Sequence, residues 1–160
     1  MAVGKSAVGR ALARLLKRPF VDLDSVVEKT EGLKIKDIFE QKGESYFRQC
    51  EKKALAEILE RENQIIATGG GAILDKDNLR LLREKSLLIA LTASTQVIMK
   101  RVGIGAERPL MKGSNRQERV TELLKMREKA YARAHLSVDT THLTIRQVAE
   151  TIIKMANVEN

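Results

Sequence analysis

Apolar residues recur at helical spacing over 5–16, where Val8, Ala11, Leu12, Leu15 and Leu16 share one face. That pattern predicts a helix starting at about Lys5. Lys17 and Arg18 suit its carboxyl end, and Pro19 stops it. Residues 20–24 read as a short strand ending in carboxylates. Ser25-Val-Val-Glu28 has capping-box form and predicts the next helix, which Gly32 closes. A short turn at 37–41 ends at Gly43, and 44–61 predicts a longer helix with Phe47, Ala54 and Ile58 on one face. The apolar segment 65–68 reads as a strand running straight into Gly69-Gly70-Gly71. Beyond it lie a helix over 75–85, a strand over 87–91, and a helix opened by Ser94 or Thr95 and ending at Arg101. The segment 102–116, rich in glycine and polar residues around Arg108-Pro109, predicts a mobile loop. A helix over 117–134 and a strand over 136–138 follow. Thr144-Ile-Arg-Gln147 forms a second capping box, with Leu143 and Val148 placed as a hydrophobic staple.

Strands at about 20–23, 64–68, 87–91 and 136–138 thus alternate with helices. They are short and apolar with little in–out alternation, the mark of a parallel sheet covered on both faces. The expected fold is α/β and doubly wound, with residues 1–160 forming one domain.

Composition narrows the function. Hydrophobic residues make up 43% and charged residues 31%, a globular balance, and without Trp the core must be largely aliphatic. No apolar run reaches the roughly 18 residues that span a membrane, and the amino terminus has no signal-peptide pattern, so the expected location is cytoplasmic. The single cysteine, Cys50, rules out a disulfide framework. A net charge of +8 suits nucleic acid or a small phosphorylated or carboxylated substrate. The basic residues are scattered and no aromatic platform lies among them, which argues against nucleic acid.

Gly4-Lys5-Ser6 stands directly before an amphipathic helix, as in the phosphate-binding loop G-x-x-x-x-G-K-[ST]. There Lys5 would bridge phosphates and Ser6 would hold Mg²⁺. A bare GKS also suits the polar start of an ordinary helix. The loop's first glycine should fall five residues before Gly4, ahead of Met1, together with the central strand that leads into it. The expectation is a sheet lacking its first central strand, in a chain that is an incomplete record of a longer protein or a defective product.

Asp22-Leu23-Asp24 lies at the carboxyl end of the first strand, where α/β sheets bind ligands, and strand alternation would put both carboxylates on one side. One could serve Mg²⁺ and the other a substrate hydroxyl; taken alone, the pair equally fits a helix-capping turn. The triple glycine marks a strand end where backbone approaches a ligand. Arg48 and Glu51, three apart on a helix, fit a surface ion pair. His135 and His142 have no metal-binding set around them.

Together, GKSAVGRALA, VDLDSVVE, IKDIFEQKGESYFRQCE, TGGGAIL, ERPLM and MREKAYARAH resemble the shikimate kinases, in the family's order and over nearly the whole chain. The resemblance implies a five-stranded parallel sheet of order 2-3-1-4-5 with a mobile lid, here about 102–116. It implies ATP-dependent phosphorylation of the shikimate 3-hydroxyl in aromatic amino-acid biosynthesis, with ATP and Mg²⁺, by a monomer. By matching position, Gly4, Lys5, Ser6 and Ala7 would serve phosphates, with Ser6 and Asp22 at the metal. Asp24 would orient or deprotonate the hydroxyl, with Lys5 and Arg108 as further catalytic groups. Arg48 and Arg127 would hold the substrate carboxylate, Gly70 and Gly71 would line the same pocket, and Phe39 and Phe47 would wall it. Glu51 would orient Arg48, while Arg101 and Arg108 would flank the nucleotide. Two rivals remain at this point: an inactive paralogue with a broken phosphate loop, and a related P-loop kinase acting on another small hydroxylated substrate.

Overall fold

The computed structural model describes residues 3–103 and 116–157. Arg108, and the expected lid apart from its two ends, lie outside them. The order is α1 (Lys5–Leu15), β1 (Phe20–Asp22), α2 (Leu23–Glu31), α3 (Ile35–Ile58), β2 (Ile65–Ala67), a 3-10 turn (Ala72–Leu74), α4 (Lys76–Lys85), β3 (Ile89–Thr92), α5 (Thr95–Gly103), α6 (Arg116–Tyr131), β4 (Leu136–Asp139) and α7 (Ile145–Met155). All four strands fall where the apolar runs predict them. Val102 and Gly103, assigned to the loop by their sequence, belong to α5.

Strand pairing is parallel, as expected, but the described residues form two sheets rather than one. β1 pairs with β2, setting Phe20 opposite Ile65 and Asp22 opposite Ala67. β3 pairs with β4, from Ile89 opposite Leu136 to Thr92 opposite Asp139. Each pair has its own core. Leu23, Val27, Ile38, Phe47, Leu55 and Leu79 close around α2, α3 and α4. Val8, Leu12, Leu91, Ile98, Val138 and Val148 close around α1, α5 and α7. The two strands facing each other across the division, β2 and β3, line one cavity of about 770 Å³.

Three local expectations need correction. Helix α2 starts at Leu23, not at Ser25, because the Asp22 side chain accepts the Asp24 N–H and caps it two residues early. Glu28 therefore caps a different helix, accepting the Ile35 N–H at 3.1 Å at the start of α3. Strand β1 consequently ends at Asp22, and Asp24 reaches the site from the first helical turn rather than by strand alternation. Third, the turn at 37–41 and the helix after it run on as one element, bent where Gly43 takes φ 81° and ψ 169°. That left-handed φ is one that glycine adopts without steric cost. The Thr144 capping box forms as predicted, with Gln147 as its partner.

Candidate active site

Two clusters of functional side chains converge on the carboxyl ends of β1 and β2. The first is at the amino terminus of α1. Gly4 caps this helix at φ 85°, and Val8 N–H donates to its carbonyl at 2.8 Å. Ser6 Oγ donates to Asp22 Oδ2 at 2.7 Å. Asp22 thus caps α2 through one oxygen and holds the Ser6 hydroxyl through the other. The capping reading of Asp22 is realised, and the same carboxylate also accepts the Ser6 hydroxyl. Lys5 lines the cavity between β2 and β3 together with Thr68.

The second cluster surrounds the triple glycine, and each glycine makes room for a different charged group. A Cβ on Gly69 would come within 2.8 Å of Glu51 Oε1 and 2.9 Å of Asp24 Oδ1. On Gly70 it would meet Arg127 Nη1 at 2.8 Å, and on Gly71 both terminal nitrogens of Arg48 at 2.7 Å. Side chains stand against this backbone so closely that a Cβ at any of the three would push one aside. Asp24, Glu51, Arg127 and Arg48 are thereby gathered onto one short strip of chain.

Glu51 is 1% exposed and Arg127 6%, an uncommon degree of burial for charged residues. Arg48 Nη1 donates to Glu51 Oε2 at 2.7 Å, and its Nε and Nη2 donate to Glu44 Oε1 at 3.3 and 3.0 Å. The sequence alone suggested a surface ion pair; one member of that pair is instead fully buried. Burial pushes the Glu51 carboxyl up, Arg48 opposes this by hydrogen bond and charge, and the Asp24 charge adds to the rise, leaving it above the usual range. Burial pulls the Arg48 guanidinium down, but the bonds and charges of Glu51 and then Glu44 outweigh it. The strain of the pair therefore falls on the carboxylate, while Arg48 stays cationic. Glu51 Oε1 and Arg127 Nε have no hydrogen-bond partner among the described residues, two polar atoms aimed into a site built for polar contacts.

Aromatic residues close the walls. The Phe39 and Phe47 rings lie 4.9 Å apart, and the Arg48 guanidinium sits 5.2 Å from the Phe47 centroid. Tyr131, unremarked in the sequence, stands beside Gly70 and hydrogen-bonds with Arg127; burial raises its phenol and Arg127 pulls it back. Its signal was its place four residues after Arg127 on one helix face, as Glu44 is four before Arg48. Arg101 is placed differently, donating from Nη1 to Thr140 Oγ1 at 3.1 Å and from Nη2 to the Thr140 carbonyl at 3.0 Å. It braces α5 to the end of β4. His135 Nδ1 accepts the Leu88 N–H, a structural role.

A sequence model of the shikimate kinase family matches residues 1–157. The chain belongs to the shikimate kinase family. Family membership makes it an ATP-dependent kinase. A shikimate kinase of Pelotomaculum thermopropionicum is 41% identical over 160 residues, covering all of this chain and 93% of that protein. One from Thermoanaerobacter pseudethanolicus is 38% identical, over 96% of this chain and 90% of its own length. The solved shikimate kinase of Acinetobacter baumannii in complex with shikimate superimposes with a TM-score of 0.93 at 34% identity, covering all of this chain and 91% of that one. Such breadth favours neither the inactive paralogue nor a kinase with another substrate. No helix among the described residues is long and apolar enough to cross a membrane.

Proposed function

We propose that this chain transfers the γ-phosphoryl group of ATP to the 3-hydroxyl of shikimate, and that its two clusters divide the work. The observation that carries the reading is the pairing of two guanidinium groups with a side-chain-free glycine strip. Arg48 and Arg127 present planar donors suited to a carboxylate, and a small polyhydroxylated acid needs such an anchor more than an apolar wall. Gly70 and Gly71 keep the floor open for it, and Phe39 with Phe47 limits its size. Asp24, one residue strip away, accepts or orients the reacting hydroxyl. Its place beside Glu51 keeps negative charge concentrated where a proton must be received.

The α1 amino terminus is the phosphate end. Backbone N–H groups at Gly4 to Ala7 and the Lys5 ammonium suit phosphate oxygens. Mg²⁺ fits the donor set there, since it keeps most of its waters and takes one or two protein oxygens plus phosphates. Ser6 Oγ would be the direct ligand and Asp22 its hydrogen-bonded partner, acting through water. Bound there, the ion would supply charge neutralisation on the transferring phosphate. Among the described residues there is no group of three or more His, Cys, Asp or Glu side chains placed to hold a metal ion. Arg108, and Arg101 once released from Thr140, are assigned to the nucleotide side.

In the family's strand order 2-3-1-4-5, β1 to β4 take positions 2, 3, 4 and 5, and the division between β2 and β3 takes position 1. The chain acts as a cytoplasmic monomer without nucleic acid, a reading supported by its scattered positive charge. ADP release coupled to an optical readout tests the function. Turnover saturating in shikimate and dependent on ATP is expected. Saturable turnover on gluconate or a nucleoside monophosphate, with none on shikimate, would sink the assignment.

A further inference from the structure

Helix α3 carries its part of the substrate corner on two arms that meet at Gly43. The first arm, 35–42, holds Phe39, and the second, 44–58, holds Phe47, Arg48 and Glu51. Arg48 is tied to Glu44 and Glu51, both on the second arm, so its guanidinium travels with that arm. Gly43 does not fix the bend by itself. Its φ of 81° and ψ of 169° interrupt the helix, and nothing lies within 4 Å of where its Cβ would stand. The angle between the arms is therefore set by groups that touch both of them.

Two contacts do so. One is the Phe39–Phe47 pair, whose rings meet across the bend at 4.9 Å. The other is a single carboxylate on the neighbouring helix. Glu31, the last residue of α2, accepts Lys42 Nζ at 3.0 Å and Tyr46 Oη at 2.9 Å on Oε2, and Cys50 Sγ at 3.4 Å on Oε1. Lys42 ends the first arm, whereas Tyr46 and Cys50 belong to the second. Lys42 Nζ also donates to Tyr46 Oη at 3.3 Å and lies 4.5 Å from the ring centroid, which closes the group across the bend. A lone surface ion pair would hold little, but the Glu31 side chain is only 14% exposed, and its three donors act as one network. Asp24 stands in the first turn of the same helix α2. The clasp thus registers Asp24 against Arg48 as well as one arm of α3 against the other.

We propose that Glu31, about two helical turns from Asp24, is a positioning residue for the substrate corner. By holding both arms of α3 it fixes the bend at Gly43, and with it the separation of the Phe39 wall from Arg48. Glu31 acts through α3 rather than by touching substrate. This role rests on the functional reading for the identity of the substrate, and on the Glu31 contacts for the bend.

Calorimetric titration of shikimate into the 160-residue chain, paired with amide exchange at 47–50, tests the role. Glu31→Ala should weaken shikimate binding about tenfold, leave the KM for ATP within about twofold, and speed that exchange at least about fivefold. Tyr46→Phe, which deletes one hydroxyl and keeps the ring, should weaken shikimate about threefold. Glu31→Lys should lose at least as much as Glu31→Ala. Adding Lys42→Glu to it should bring affinity back to within about threefold of wild type, because the pair then meets across the same bend with its charges exchanged. Val148→Ala opens the other core and controls for lost stability; it should leave shikimate affinity within about twofold. Unchanged affinity in Glu31→Ala, an equal loss in Val148→Ala, or no recovery in the exchanged pair would overturn the role. A wild-type chain that binds no shikimate, with exchange still faster in Glu31→Ala, would remove the substrate and keep the clasp. Exchange unaltered by Glu31→Ala would remove the clasp.

Discussion

Around Gly69-Gly70-Gly71 the site is walled by charge, two of its four groups fully buried, whereas around Gly4-Lys5-Ser6 one wall is a cavity. At the glycine strip, three helices contribute: Asp24 from α2, Arg48 and Glu51 from α3, and Arg127 with Tyr131 from α6. Asp24, Glu51, Arg127 and Arg48 each have an atom within 2.9 Å of where a glycine Cβ would stand, so a side chain there would displace them. At the α1 end, the Ser6–Asp22 bond joins two half-buried side chains, and Lys5 borders that cavity. The glycine-strip corner is thus preorganised by packing, whereas the α1 end borders open space. Preorganised groups lose more when removed, because their neighbours cannot rearrange to cover the loss.

That contrast sets the order of expected effects. Arg127→Ala leaves a buried cavity and removes a desolvated cation, so kcat/KM for shikimate should fall about 10³-fold, roughly 4 kcal/mol. The KM for ATP should stay within about twofold. Steady-state kinetics with each substrate varied makes the check, and an equal loss on both axes would erase the division. Ser6→Ala should act in the opposite sense, lowering kcat about 10²-fold through lost metal placement while leaving shikimate binding almost intact. Restoration of rate by raised Mg²⁺ would sharpen the point. Gly71→Ala puts a Cβ 2.7 Å from the Arg48 nitrogens, so the guanidinium must shift; the shikimate KM should rise about tenfold at nearly constant kcat.

The smallest effect concerns pH. The Glu51 carboxyl lies above its unfolded value, so the unfolded chain ionises first as pH rises. Stability should therefore decline from the ordinary carboxylate range up to the raised folded value and then level off. Glu51→Gln removes this decline, which urea titrations across pH would reveal as a flatter profile. A wild-type profile that rises through the same window would contradict the burial argument.

Much of this was legible in the sequence. Apolar runs located four strands, Pro19 and Gly32 located helix ends, and Thr144 with Gln147 located a cap, because these signals act within a few residues. Asp22 shows where local reading stops. Its side chain competes with Ser25 for the start of α2 and wins while also serving Ser6, sixteen residues earlier, a contact no spacing rule encodes. The glycine strip was read as a place for a ligand, and the structure adds that it is first a place for four charged side chains. The burial of Glu51 was invisible, since an (i, i+3) pair reads the same on a solvated face and an inward one. That the four described strands pair as two separate sheets, β1 with β2 and β3 with β4, is a long-range matter that no local pattern carries.

Shikimate titrated calorimetrically into the chain without nucleotide tests the central claim, that the carboxylate corner is built in advance of the phosphate end. The account predicts one-to-one binding with Kd in the micromolar to millimolar range, lost at least about thirtyfold for the neutral methyl ester of shikimate. Equal affinity for the acid and the ester, or binding that appears only after a nucleotide is added, would contradict it.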